Sequence, residues 1–176
     1  MNEDTRLRDG LPARASPSGT AAAGAENGIY AALDLGTNNC RLLIARPQGT
    51  GFAVVDAFSR IVRLGEGLSQ TGRLSDEAMD RAVAALSICA DKLRRRNVSL
   101  SRSVATEACR RAANGRDFAE RVRDETGIAL DIIEPHEEAR LAVLGCHKLL
   151  EPGDGPALIF CIAAIGTCRP STARRS

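Results

Sequence analysis

The sequence predicts an α/β fold in which a mixed sheet starts with three antiparallel strands and has helices around it. Three apolar segments with β-branched residues come first, at Ile29 to Leu35, Cys40 to Arg46 and Phe52 to Arg63. The turns between them are short and contain glycine or asparagine, which favours antiparallel neighbours. After these strands, helical and strand patterns alternate, which indicates further strands covered by helices. The 176 residues, 44% of them hydrophobic, suffice for one core of ordinary size.

A long amphipathic helix follows the three strands. Ser75 stands as its N-cap, and Asp76 and Glu77 occupy its first turn. Apolar residues then recur at the i, i+3, i+4 and i+7 spacing of a helix, at Met79, Ala82, Val83, Leu86, Ala90 and Leu93. The arginines at 94 to 96 complement the negative charge of the helix C-terminus, so we assign them no site.

Strands and helices alternate over the rest of the chain. In order, the patterns predict a strand at Ser101 to Thr106, a short helical piece in "EACRRAAN", a helix at Arg116 to Glu125 ended by Gly127, a strand in "IALDIIE", a helix opened by Pro135, and an apolar strand at Ala157 to Ile162. Residues 1 to 28 are rich in glycine, alanine, proline and charge, and we expect a disordered tail there. The predicted domain therefore covers residues 29 to 162.

Composition excludes several classes of function. A formal charge of +2 produces no strong field, and 3% aromatic residues leave few stacking platforms, so we expect no nucleic-acid partner. The longest apolar run near the C-terminus, residues 157 to 165, is about half a bilayer span, so we expect no membrane partner either. The six cysteines form no CxxC pair that would start a zinc site. We interpret them as reduced residues of a cytoplasmic protein.

The turn "DLGTNN", between the first two strands, is the first candidate site. Gly36 would let backbone N–H groups approach a ligand closely, and Thr37, Asn38 and Asn39 add side-chain donors, so the turn could surround a phosphate. Asp34 would repel phosphate unless a divalent cation or its water lay between them. The alternative is a hairpin turn without a ligand, because asparagine tolerates left-handed backbone geometry. No Walker A sequence occurs in the chain.

The pair of glutamates in "PHEEAR" is the second candidate. On a helix that starts at Pro135, Glu138 shares its face with an inward stripe made of Leu141, Ala142, Gly145 and Leu149. Glu137 instead lines up with Arg140, Leu144 and Lys148 on the wetter side. Glu138 therefore points toward the interior edge of the domain, and the helix dipole would keep it ionised at neutral pH, as a general base must be. The alternative is that both glutamates are helix-start acids, which the helix dipole favours.

Four segments together carry a resemblance to a known family. "YAALDLGTNNCRLLIA", "VVDAFSRIVRLGEGLSQTGRLSDEAMDRA", "SVATEACRRAANGRDF" and "IIEPHEEARLAVLG" resemble, in order and spacing, the N-terminal domain of the Ppx/GppA family of exopolyphosphatases and guanosine pentaphosphate phosphohydrolases. The resemblance spans roughly Ile29 to Phe160. It implies one half of an actin-like ATPase fold, which is ribonuclease-H-like. It also implies that full-length relatives are homodimers.

The resemblance also implies roles for particular residues. "DLGTNN" becomes the first phosphate loop, Arg110 contacts substrate phosphate, and Glu138 activates the attacking water. Magnesium is the expected cofactor, with Asp34 holding it through water. The substrate would be polyphosphate or guanosine pentaphosphate.

The sequence departs from the family pattern near its end. Where the family has a glycine-rich loop of the type D-I-G-G-G-S-T, this chain has "LIFCIAAIGTCRPSTARRS". Cys161 stands at the position of the family's metal-binding aspartate, and Ala163 and Ala164 replace glycines. We therefore expect an aberrant tail at residues 163 to 176, a missing second domain, weakened magnesium binding and little or no activity. The alternative function is a non-catalytic fragment that binds phosphate or protein, and we expect the chain to self-associate.

Overall fold

The computed structural model describes residues 28 to 147, and a five-stranded mixed sheet forms its centre. The strands are β1 (Tyr30–Leu35), β2 (Asn39–Gln48), β3 (Gly51–Ile61), β4 (Leu100–Ala105) and β5 (Asp131–Ile132). Their order in the sheet is β3-β2-β1-β4-β5. The first three pair antiparallel, and β4 pairs parallel with β1 and β5. This confirms the predicted fold class. The predicted strand at Ala157 to Ile162 and both predicted tails lie outside the described residues, apart from residue 28.

Five helices surround this sheet in the described part of the chain. They are α1 (Leu68–Thr71), α2 (Asp76–Arg95), α3 (Glu107–Arg111), α4 (Gly115–Thr126) and α5 (Pro135–His147). The sequence did not predict α1, which is a single turn between Gly67 and Gly72, both in the left-handed region. None of the helices in residues 28 to 147 is long and apolar enough to cross a membrane.

β5 is much shorter than the predicted strand "IALDIIE". Only Asp131 and Ile132 pair with β4, opposite Val104 and Ala105. Both partners are the last residues of β4, because the chain turns into α3 immediately afterwards. The sequence of β5 could not predict this length, because its own residue pattern does not show where the neighbouring strand β4 ends.

The register brings the carboxyl ends of three strands to one edge of the sheet, which we call the site edge. Leu35 at the end of β1 lies opposite Ala105 at the end of β4, and Ala105 lies opposite Ile132 of β5. Hydrogen bonds continue this alignment past the strands, from Thr106 N–H to Leu35 O (3.1 Å) and from Ile133 N–H to Ala105 O (3.1 Å). Loops that leave parallel strands at such an edge commonly bind ligands.

The core lies between one face of the sheet and α2. Alternate strand residues point into it, namely Leu33, Leu35, Cys40, Leu42 and Ile44. Across from them α2 buries Ala82, Leu86 and Cys89, and the Sγ atoms of Cys40 and Cys89 are 3.9 Å apart. Cys40, Cys89 and Cys109 are buried free thiols, as the sequence predicted for them. The opposite face of the sheet, which we call the outer face, carries Asp34 and Arg102.

The N-cap of α2 provides a test of local stability. Ser75 has an extended backbone, and its hydroxyl accepts a hydrogen bond from Ala78 N–H at 3.3 Å. We expect Ser75→Ala to lower the free energy of unfolding by about 1 kcal/mol, because the N–H loses its partner. Ser87→Ala is the control, since Ser87 Oγ only donates to Val83 O within the same helix and alanine has the higher helix propensity. Urea titrations showing equal losses for both variants would contradict the capping role.

Candidate functional site

The turn between β1 and β2 is fixed by backbone hydrogen bonds from both sides. Gly36 N–H donates to Asn39 O at 2.9 Å, which closes the turn. The carbonyl of Asn38 accepts from Val62 N–H (2.8 Å), and the carbonyl of Thr37 accepts from Gly65 N–H (3.0 Å). The N–H of Gly36 is therefore already used. Within residues 28 to 147, the N–H groups of Thr37 and Asn38 have no hydrogen-bond partner, so these two are the donors that the turn can offer.

Gly36 and Gly65, the two glycines at this turn, differ in whether packing requires a glycine. A β-carbon at Gly65 would lie 2.4 Å from Thr37 Cγ2, so Gly65 makes room for the threonine. A β-carbon at Gly36 would meet only Asn39 O at 3.6 Å and Thr106 Oγ1 at 4.0 Å, which are ordinary contacts. Gly36 is also outside the left-handed region. Packing within the described chain therefore does not require glycine at position 36.

Arg110 and Glu138 meet at the site edge, although they come from α3 and α5. Both Nη atoms of Arg110 lie 3.4 Å from Glu138 Oε2. Arg110 Nη1 also donates to the carbonyl of Ile133, directly after β5. The side chains are partly open to solvent, at 18% for Arg110 and 32% for Glu138. The pair is thus anchored on the sheet and still accessible to a ligand.

Asp34, the last outer-face residue of β1, belongs to the same cluster of charges. Partial burial of its carboxyl raises the pKa of Asp34 above its ordinary value, even though the residue keeps an exposed surface. The neighbouring Arg41 opposes this rise, whereas the negative charge of Glu138 adds to it. The negative charge of Glu138 thus disfavours the charged form of Asp34, and a cation bound by Asp34 would oppose that effect.

Glu137 is held more firmly than the sequence suggested. Its side chain is 22% exposed, less than that of Glu138, although Arg140 and Leu144 on the same side of α5 are exposed, as predicted for the wetter side. Its carboxylate accepts two hydrogen bonds from Arg140 and one from Arg102 of β4. These bonds, chiefly those from Arg140, lower the pKa of Glu137 to about 2. The predicted inward stripe of α5 is only partial, since Leu141 and Ala142 are half-buried and Gly145 is exposed.

The carboxylates at the site edge are the groups to consider as magnesium ligands. The residues from 28 to 147 contain no group of three or more histidine, cysteine, aspartate or glutamate side chains arranged to hold a metal. Magnesium, however, is often bound by one or two carboxylates together with phosphate oxygens and water. Asp34, whose side chain keeps an exposed surface at this edge, fits that smaller requirement. Cys161, which the resemblance places at the position of a metal-binding aspartate, lies outside the described residues.

The structure thus brings every predicted site residue to the site edge, and it adds one that the sequence analysis missed. Thr106 is 7% exposed and directly follows β4, with its hydroxyl beside Gly36. Its carbonyl accepts from Arg110 N–H at 3.1 Å, so it connects the turn with α3. Thr106 could have been found from the sequence by aligning the ends of the two predicted strands that correspond to β1 and β4.

The sheet order and the crossing from β3 to a parallel β4 define one half of an actin-like, ribonuclease-H-like α/β fold, with a cluster of polar residues at the carboxyl ends of its strands. The chain belongs to the Ppx/GppA phosphatase family, whose sequence pattern matches residues 43–163. This confirms the resemblance carried by the four motifs.

Solved structures of family members are similar over the same part of the chain. The Ppx/GppA family member of Aquifex aeolicus is 32% identical with a TM-score of 0.67, over 71% of this chain and 41% of that one. An exopolyphosphatase-like protein is 34% identical with a TM-score of 0.69, over 75% and 40%. An exopolyphosphatase from Cytophaga hutchinsonii is 28% identical with a TM-score of 0.65, over 68% and 38%. The chain therefore spans about two fifths of the length of these relatives.

Proposed function

We propose that this chain supplies one half of a phosphohydrolase site, which releases the terminal phosphate of polyphosphate or of guanosine pentaphosphate by attack of water. Family membership supports a phosphatase-type function. The observation that carries the proposal is that Thr106 links the Gly36 turn to Arg110, which pairs with Glu138, at one sheet edge. These groups come from three distant segments, and no packing requirement within residues 28 to 147 explains the glycine.

The residues match the needs of phosphoryl transfer to water. That reaction requires an in-line nucleophile and neutralisation of charge on the phosphoryl oxygens, with little covalent participation by the protein. In the proposal, Glu138 accepts the proton of the attacking water. Arg110 holds Glu138 with its Nη atoms and has further N–H groups for phosphate. The N–H groups of Thr37 and Asn38, with the side chains of Thr37, Asn38 and Asn39, bind the phosphate that enters the turn.

Magnesium is the cofactor that we propose for this site. Asp34 would hold the ion through a water molecule, and its carboxylate would then face the cation instead of repelling phosphate. When bound, the ion neutralises negative charge on the phosphoryl oxygens.

The role of Gly36 provides the test of this proposal. We expect Gly36→Ala to weaken binding of tripolyphosphate with magnesium by about 10-fold or more, since a methyl group would occupy the space through which phosphate approaches; tenfold corresponds to about 1.4 kcal/mol. The free energy of unfolding should stay within about 0.5 kcal/mol, because the added carbon makes only ordinary contacts. Calorimetric titration measures the affinity, and urea unfolding measures the stability.

Gly51→Ala is the matched control. Gly51 also lies at a hairpin turn and outside the left-handed region, and among residues 28 to 147 its added carbon would meet only Gln48 O at 3.8 Å. It belongs to the opposite end of the sheet, so affinity should not change. Equal affinities for both variants would remove the turn from the phosphate site. Tight binding without release of orthophosphate would favour a non-catalytic phosphate-binding function, and guanosine pentaphosphate in a parallel titration distinguishes the two substrates.

A further inference from the structure

A network of charges on the outer face connects the sheet to the first turn of α5. Arg102, near the middle of β4, places Nη2 3.2 Å from Glu137 Oε1 and 3.4 Å from Asp131 Oδ2 of β5. Glu137 also accepts from Arg140 Nε (2.7 Å) and Nη2 (2.9 Å), one helical turn further along. The Glu137 carboxylate is therefore the point at which β4 and α5 are tied together.

Two consecutive glutamates of α5 are thus held by arginines from two different elements. Arg102 of β4 holds Glu137, and Arg110 of α3 holds Glu138. In the described part of the chain, these are the ion pairs that join α5 to the rest of the domain. Neighbouring residues on a helix point about 100° apart, because the helix has 3.6 residues per turn. Fixing both side chains therefore fixes the rotation of α5 about its axis.

The Arg102–Glu137 ion pair should affect the orientation of α5 more than the free energy of unfolding of the domain. Arg102 is 50% exposed, and ion pairs this open to solvent contribute only about 0 to 1 kcal/mol to folding. A rotation of α5 would nevertheless move the Glu138 carboxylate away from Arg110. Misplacement of a reacting group by about 1 Å can cost about 100-fold in rate. Loss of the Arg102–Glu137 pair should consequently leave the domain folded and the site misaligned.

We infer that Arg102 and Glu137 are positioning residues, which set the orientation of the Glu138 carboxylate toward Arg110 at the site edge. The catalytic part of this inference rests on the proposed function, because it takes Glu138 as the base. The geometric part, that Arg102 and Glu137 orient the Arg110–Glu138 pair, holds for the domain whether or not it hydrolyses phosphate.

The first experiment measures the Arg110–Glu138 pair directly. The side-chain N–H signals of the arginines in the full chain are recorded by ¹⁵N NMR. The signal of Arg110 is assigned by its absence from the spectrum of Arg110→Lys. The spectrum of Glu138→Gln gives the position of that signal when the pair is broken. We expect Arg102→Gln and Glu137→Gln to shift the Arg110 signal toward that of Glu138→Gln. Arg102→Lys, which keeps a cation for Glu137, should return it toward the wild-type position.

Arg121→Gln is the matched control, because Arg121 of α4 also pairs with two carboxylates, Asp80 and Glu125, away from α5. It should leave the Arg110 signal unchanged. Thermal unfolding verifies that every variant is folded. An Arg110 signal that stays at its wild-type position in folded Arg102→Gln and Glu137→Gln would overturn the inference, whether or not the chain shows any turnover.

The second experiment uses release of orthophosphate from polyphosphate. Arg102→Gln should lower kcat about 10-fold or more and leave KM within about twofold, since the pair orients the base and does not touch substrate. In the Glu138→Gln background the same substitution should have no further effect on kcat. Full additivity of the two substitutions would contradict a role that acts through Glu138. Absence of turnover in the wild type, both alone and fused to the C-terminal part of a Ppx/GppA relative, would refute the proposed function but not the geometric inference, which the NMR signals decide.

Discussion

Replacing Glu138 by glutamine should lower the rate of polyphosphate hydrolysis about 100-fold or more, at nearly unchanged affinity for the substrate. Glutamine has almost the same shape as glutamate and keeps an oxygen that can accept from Arg110, so the site edge should retain its geometry. Its amide cannot take a proton from the attacking water. The loss should therefore appear in kcat, measured as orthophosphate released at saturating polyphosphate with magnesium.

The assay needs a protein with measurable turnover and a control for removing one carboxylate. The chain spans about two fifths of its structural relatives, so we would measure it alone and fused to the C-terminal part of a Ppx/GppA relative. Glu120→Gln is the control, since Glu120 is an exposed residue of α4. Near-normal kcat in Glu138→Gln would remove Glu138 from the role of base and leave it as a helix-start acid.

The second large effect concerns the junction of α3 and α4. Gly115→Ala should lower the free energy of unfolding by about 3 kcal/mol or more. An added β-carbon would lie 1.9 Å from the carbonyl oxygen of Cys109 and 2.8 Å from its carbonyl carbon. Both are backbone atoms, which cannot turn aside as a side chain does. The substitution must therefore push α3 and α4 apart, which also moves Arg110, the residue after Cys109.

Gly145→Ala is the control that shows whether the effect of Gly115→Ala comes from packing. Gly145 lies within α5, and a β-carbon there would meet none of the described residues within 4 Å. Alanine should stabilise this helix by about 0.5 to 1 kcal/mol, because glycine loses more conformational freedom on folding. Opposite signs for the two variants in urea unfolding are the expected result. A Gly115→Ala protein as stable as the wild type would mean that the two helices can separate at little cost.

The sequence predicted those parts of the fold that depend on local patterns. The meander followed from apolar segments joined by short turns, and α2 followed from its N-cap at Ser75 and its apolar spacing. The short helix α1 escaped prediction because it consists of one turn between two glycines. β5 was predicted too long because the length of its pairing depends on where β4 ends.

The candidate site was predictable to a different degree. Residue types and the family resemblance led to the turn, Arg110 and Glu138, whose roles stay predictions. The contacts that hold them could not be seen in the sequence, because they join distant residues. Arg102 and Glu137 are 35 positions apart, and no local pattern shows how far an arginine reaches. The sequence likewise did not show that the Gly36 N–H donates a hydrogen bond within its own turn, to Asn39 O.

The parallel pairing of β4 with β1 also determines when the site can exist during folding. β1 reaches β2 through a short turn, but the chain comes back to the other side of β1 only after about 70 residues, where Ile29 bonds to Ser99. Closing so long a loop costs conformational entropy, and contacts this distant in sequence form slowly. The meander needs only local encounters. The site edge, with Gly36, Thr106 and Glu138, is complete only after the longest-range strand pairing, so a chain still emerging from the ribosome can hold the hairpins before the site edge exists.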